Sequence, residues 1–122
     1  MKDIQMGAVE ARFADIIWER EPVCTTALVK MAESALNWKK TTTYTVLKRL
    51  CEKGIFQNDG GTVTSVISRD DFYSMRSEKI LEDEFSGSLP AFLAAFTKRK
   101  TLSAEEIEAI RRMMEEYEVE KK

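Results

Sequence analysis

No histidine occurs among the 122 residues of this chain. The commonest general acid–base side chain is therefore missing, and catalysis is not expected. Zinc sites lose their usual nitrogen ligand as well. There are two cysteines, Cys24 and Cys51, and they are isolated in sequence with no Cys-x-Cys spacing. Such a pair reads as two reduced, semi-buried thiols, with redox or soft-metal sensing as the sharper alternative. The five glycines are scattered, so no phosphate-cradling loop is present. No bound metal or cofactor is expected. Long apolar runs are absent too. The richest, Leu89–Phe96, is eight residues, far short of a membrane span. The first residues alternate charged and apolar character and lack the apolar stretch of a secretory leader. The chain is expected to be cytoplasmic, with no direct membrane insertion.

What the chain does contain suits a folded domain. Hydrophobic residues make up 43%, enough for a core. The length fits one compact domain or two small lobes. The net charge of −2 argues weakly against nucleic acid. That total hides a division. Residues 1–69 hold 10 Lys/Arg against 8 Asp/Glu, giving +2, and residues 70–122 hold 9 against 13, giving −4. Between 38 and 54 lie Lys39, Lys40, Lys48, Arg49 and Lys53, opposed by Glu52 alone. The local field, more than the total, steers a protein onto phosphate. A merely solvated basic face is the bland alternative.

The segment Asn37–Gly54 reads as one amphipathic helix. At about 100° per residue, Thr43, Val46, Leu47 and Leu50 fall on one side. Thr41, Thr42, Thr45, Lys48, Arg49 and Glu52 fall on the other, with Tyr44 and Cys51 at the boundary. Gly54 follows as a left-handed residue past the helix end. Short hydroxyls and long cations can meet base edges and phosphates without repelling them. Thr41, Thr42 and Thr45 suit thymine methyls, base edges or phosphates. Lys39, Lys40 and Lys48 suit phosphate neutralisation. Arg49 suits a phosphate or a guanine, and Tyr44 a sugar-phosphate or the core edge. Trp38 reads as the anchor of the preceding turn.

Around this helix the pattern is that of a winged helix-turn-helix. A first helix is expected from Gly7 as N-cap to about Glu19, with Met6, Val9, Phe13, Ile16 and Ile17 at helical spacing. Glu21–Pro22 breaks it. Val23–Cys24 reads as a very short strand, and Cys24 or Thr25 caps a second helix to about Ser34. Ile55–Asn58, the turn signal Asp59–Gly60 and Thr62–Ile67 predict a hairpin. The fold class is mainly α with a small β-hairpin, and the first domain is residues 1–69.

Residues 70–122 read as a helical dimerisation lobe. Ser68 caps a helix to about Phe85, supplied with Phe72, Met75, Ile80, Leu81 and Phe85. Leu89, Phe92, Leu93 and Phe96 mark a short helix. Ser103-Ala104-Glu105-Glu106 is a capping box opening a last helix to about Glu118, with Ile107, Ile110 and Met114 on one face. A lobe this small has trouble burying its own apolar surface. A second copy is expected to cover Ile80, Leu81, Phe85, Phe92, Phe96, Ile107, Ile110 and Met114. Pairing would set two reading helices about 34 Å apart, one turn of duplex.

These residues resemble the penicillinase-repressor family, which includes β-lactamase, methicillin-resistance and copper-operon repressors. The carriers are Ile16-Ile17-Trp18, then Trp38, Thr42, Thr45, Leu47, Arg49, Leu50, Lys53 and Gly54 in their spacing. Ser68-Arg69-Asp70-Asp71-Phe72, Phe85-x-Gly87-Ser88, and Phe96 followed by Leu102-Ser103-x-Glu105-Glu106-Ile107 complete the set. The resemblance implies a homodimeric repressor of a double-stranded DNA operator, with Thr42, Thr45 and Arg49 at DNA-contacting positions. In antibiotic-responsive members a membrane sensor-protease triggers cleavage before a Phe of the dimerisation lobe. Here that bond is Ala95–Phe96, with Ala95 where family examples carry Asn. The wing residues Gly60–Thr64 lack the family's Arg and Tyr. The ending Glu118–Lys122 lacks the cysteine motif of copper-responsive members, so copper sensing by that route is not expected.

The expected mechanism is operator occlusion, relieved when the C-terminal lobe opens. Candidate triggers are proteolysis near Phe96, a small ligand between helices, and oxidation of Cys24 or Cys51. The rival reading is a winged-helix adaptor that docks protein and binds no specific DNA.

Overall fold

The computed structural model describes residues 5–121, with side chains through Tyr117. The start of the region read for a leader (1–4) and the side chains of Glu118–Lys122 lie outside it. The chain divides into two compact units, Met1–Lys79 and Ile80–Lys122.

The first unit has the order α1 (Ala8–Arg20), β1 (Val23–Cys24), α2 (Thr25–Leu36), α3 (Lys40–Glu52), β2 (Phe56–Asp59), β3 (Thr62–Ser65) and the start of α4 (Arg69–Phe85). Gly7 is the N-cap of α1, and its N–H donates to Oε1 of Glu10 at 3.0 Å. The α2 N-cap is Cys24, whose Sγ accepts from the Ala27 N–H at 3.4 Å. Ser68 opens α4 by accepting the Asp71 N–H at 3.1 Å.

The wing is larger than the two-stranded hairpin expected. β1 joins it, giving the antiparallel order β1-β3-β2 with Val23 opposite Val63 and Phe56 opposite Ser65. The turn also sits one residue later than the Asp59–Gly60 signal suggests. Asp59 pairs with Thr62, so the two-residue loop is Gly60–Gly61. Their φ values of 61° and 94° satisfy a type I′ turn, which needs positive φ at both central positions.

The core gathers Phe13, Ile17, Leu28, Leu50, Ile55, Phe56, Val63 and Phe72, all buried. Each such side chain contributes about 1.5–3 kcal/mol by leaving water. Val9 departs from expectation. It is 49% exposed, and Met6, just before α1, packs against the core instead. Trp18 lies across Phe56 and Phe72, with ring centroids 5.2 and 5.5 Å away. Its indole N–H reaches the Ile67 carbonyl at 3.0 Å. Glu21 accepts both the N–H and the hydroxyl of Ser65, each at 2.8 Å, so the exit of α1 is tied to the end of β3.

The second unit holds the end of α4, α5 (Leu89–Thr97) and α6 (Ala104–Lys121). Ser86 and Gly87, with φ of 51° and 77°, end α4. Ser88 caps α5 by accepting the Ala91 N–H at 3.1 Å. Ser103 and Glu106 form the reciprocal capping box of α6, both bonds at 3.0 Å. Phe85 meets Phe92 edge-on at 5.4 Å, and Phe92 stacks on Phe96 at 6.1 Å. No described side chain of residues 80–117 is buried.

Candidate nucleic-acid interface

Two structural devices aim α3. The turn before it passes through Asn37 in the left-handed region at φ 58°, a conformation its short polar side chain tolerates. The Asn37 and Trp38 amides return to the carbonyls of Glu33 and Ala32, closing the end of α2. Trp38 then lies on Phe13 with ring centroids 5.0 Å apart, which is the anchoring expected of it. At the other end Gly54, at φ 83°, releases the chain into the wing.

Between these ends the helix has two distinct faces. Thr43, Val46, Leu47 and Leu50 are buried, and the Thr43 hydroxyl satisfies itself on the Lys39 carbonyl at 3.2 Å. Lys39, Lys40, Thr41, Thr42, Thr45, Lys48 and Arg49 are exposed. Tyr44 sits at the boundary, 39% exposed. The register read from sequence therefore places every candidate contact residue of α3 in solvent.

The exposed hydroxyls are not equivalent. Thr45 donates to the Thr41 carbonyl at 2.8 Å. With its proton so engaged, the oxygen is left to act as an acceptor. A threonine so bonded accepts from cytosine or adenine amines and packs on thymine methyls. The Thr41 and Thr42 hydroxyls have no such bond among the described residues and can turn either way.

The cations divide as well. Lys39, Lys40 and Lys48 are exposed and have no ion pair among the described residues. Arg49 does have one: its Nη1 lies 3.3 Å from Oε2 of Glu10 on α1. The Lys53 ammonium donates to the Gln5 carbonyl. Glu10 was not singled out from sequence. Its three-residue spacing from Gly7 was visible, but its reach to a residue 39 positions away was not. The Glu10 carboxyl is held below the ordinary carboxylate range. The Gly7 N–H is the main cause, and Lys53 and Arg49 add to it against the opposing effect of burial.

The wing contributes no cation. Its polar groups bond one another: Gln57 Nε2 donates to Thr64 Oγ1 at 3.1 Å, and Asn58 Oδ1 accepts the Gly61 backbone N–H at 3.0 Å. Asp59, at the end of β2, adds a negative charge. The candidate contact cations therefore lie on α3 and at its N-cap, and none lies on the wing.

The residues read as a dimer face fall into two groups. Ile80, Phe96, Ile107 and Met114 are 36–45% exposed. Leu81, Phe85, Phe92 and Ile110 are half-buried within the second unit. Met113 and Tyr117, absent from the sequence reading, are more exposed still, at 62% and 55%. Ala95 and Phe96 are exposed, and both lie inside α5, so cutting between them requires that helix to unwind locally.

The three-helix, three-strand order of the first unit and its outward α3 define a winged helix. The sequence matches the penicillinase repressor family over residues 6–116. The chain belongs to that family. Its members are transcriptional repressors, not enzymes, and the coarse function is therefore that of a DNA-binding repressor. The penicillinase repressor of Bacillus licheniformis is 28% identical over 127 residues, covering 100% of this chain and 99% of that one. The methicillin resistance regulatory protein MecI of Staphylococcus aureus is 21% identical over 117 residues, covering 93% and 95% respectively. A solution structure of monomeric Bacillus licheniformis BlaI with the blaP half-operator is 28% identical. It covers 58% of this chain and 93% of its own, at a TM-score of 0.49.

Proposed function

We propose that this protein is a cytoplasmic homodimeric repressor that occludes a palindromic operator by seating α3 of each copy in the major groove. The observation that carries this reading is the exposed row Thr41, Thr42, Thr45, Lys48 and Arg49, backed by the buried Thr43, Val46, Leu47 and Leu50. A row of hydroxyls and cations on a rigid helix matches the donors, acceptors and phosphates of a groove.

Pairing through the second unit is supported by its exposed Ile80, Leu89, Phe96, Ile107, Met113 and Met114, and by its lack of any buried side chain among residues 80–117. Two joined reading helices bind with a high effective concentration. Whatever opens the second unit then releases DNA. Cleavage at Ala95–Phe96, driven by a membrane sensor-protease as the family resemblance implies, is one such route.

The test has two arms. Genomic fragments retained by the purified protein are sequenced, and an inverted repeat with half-sites about one helical turn apart is expected. Phe96→Asp is expected to sediment as a monomer and to bind that site far more weakly. A persistent Phe96→Asp dimer removes the interface. Failure to retain any duplex at low salt favours the adaptor reading, which the cation-free wing supports.

A further inference from the structure

We infer that Glu10 is a positioning residue for DNA binding: it holds the Arg49 guanidinium at the flank of α3 and makes it a clamp on backbone phosphate, not a reader of bases. This rests on the proposal that α3 enters the groove.

The geometry is specific. Glu10 is the third residue of α1, and its two oxygens have separate tasks. Oε1 accepts the Gly7 N–H at 3.0 Å, so the carboxylate is fixed to the start of its own helix. Oε2 faces Arg49 Nη1 at 3.3 Å. The carboxylate side chain is only 18% exposed, whereas that of Arg49 is 52% exposed. The acid is thus a tucked-in anchor, and the guanidinium still presents most of its surface to solvent.

One contact leaves the remaining N–H donors of the guanidinium available to phosphate oxygens. An arginine ordered before binding also loses less side-chain freedom when the phosphate arrives. Position decides between phosphate and base. Arg49 is in the last turn of α3, while recognition helices read bases with their N-terminal residues. Lys53, just past the helix, is drawn to the Gln5 carbonyl in the same direction. The cations at this end of α3 are therefore pulled toward the beginning of α1. Those near its start, Lys39 and Lys40, have no ion pair among the described residues.

The alternative role for Glu10 is repulsion, an acid that competes with phosphate for Arg49. The fixed Oε1 and the single contact to Arg49 favour orientation over competition.

Glu10→Gln separates the two roles. Glutamine has one acceptor oxygen and no charge, so it cannot give Gly7 and Arg49 an oxygen each as the carboxylate does. Binding is measured by fluorescence anisotropy over a salt series, using a duplex retained by the unaltered protein and a scrambled duplex. The proteins are wild type, E10Q, R49Q and the double variant, all well below their unfolding temperatures. R49Q is expected to weaken both duplexes by the same factor and to lower the salt slope by about 0.9, one phosphate's worth. E10Q is expected to weaken binding about 3- to 10-fold when Arg49 is present and less than about 2-fold when it is not. Unchanged or tighter binding by E10Q overturns the inference. So does an equal loss in both backgrounds, which marks a purely structural cap. A selective loss of the retained duplex in R49Q overturns the phosphate assignment. If the unaltered protein shows no salt-dependent duplex binding, the repressor reading itself fails, and that is seen before any variant is made.

Discussion

The indole N–H of Trp18 donates to the backbone carbonyl of Ile67 at 3.0 Å, joining the end of α1 to the exit of the wing across 49 residues of chain. The ring is half-buried against Phe56 and Phe72, so the bond sits beside the core. Trp18→Phe keeps an aromatic ring but leaves the Ile67 carbonyl without its partner. A destabilisation of about 1–3 kcal/mol is expected. Urea unfolding checks it: the midpoint falls and the slope stays the same, because the surface exposed on unfolding is unchanged.

The hydroxyls and the free lysines of α3 are expected to fail differently. Thr41→Ala or Thr42→Ala should cost about 1 kcal/mol on the retained duplex, little on a scrambled one, and should leave the salt slope alone. Lys48→Gln should weaken both duplexes alike and lower the slope by about 0.9. Identical behaviour of the two classes in a titration over salt would remove the division of labour along this helix.

The two thiols should react at different rates. Burial, and then the neighbouring Glu52 carboxylate, push the Cys51 thiol up, which keeps it protonated near neutral pH. Cys24 is exposed at the head of α2. Iodoacetamide at pH 7 is expected to label one thiol per native chain quickly and the second only after unfolding. Mass spectrometry of the fast product should find the label on Cys24; equal labelling of Cys51 would show that its burial gives no protection.

Glu10 should shape the acid limb of stability. Its folded pKa lies below the unfolded value, so the native state favours the charged form. That contribution is complete above the ordinary carboxylate value of about 4.3 and fades as pH falls through the lower folded value. Glu10→Gln should therefore reduce the loss of stability between roughly pH 5 and pH 3 relative to wild type. Chemical unfolding at a series of pH values measures this, and superimposable acid limbs would show that the Gly7 and Arg49 contacts are not coupled to folding.

The α3 face was legible from sequence because a single period of about 3.6 residues sorts Thr43, Val46, Leu47 and Leu50 from Thr41, Thr42, Thr45 and Lys48. Capping residues were legible for the same local reason: Ser68, Ser103 and Glu106 act within three residues of themselves. The missing pieces all depend on distant partners. β1 gains its place only through Val63, the hairpin turn shifts because Asp59 pairs with Thr62, and Glu10 gains its second contact only when α1 meets α3. Val9 shows the limit of periodicity, which identifies a stripe but not where the core beneath it ends.

The sheet has two outer strands, and both are short: β1 has two residues and β2 has four, ending on Asp59. An unpaired strand edge invites another chain to add itself, and brevity and charge discourage this. All four residues of β3 pair with β2, and Thr62 and Val63 pair with β1 as well. A second copy of the chain therefore finds little backbone to zip onto, and runaway strand addition is discouraged.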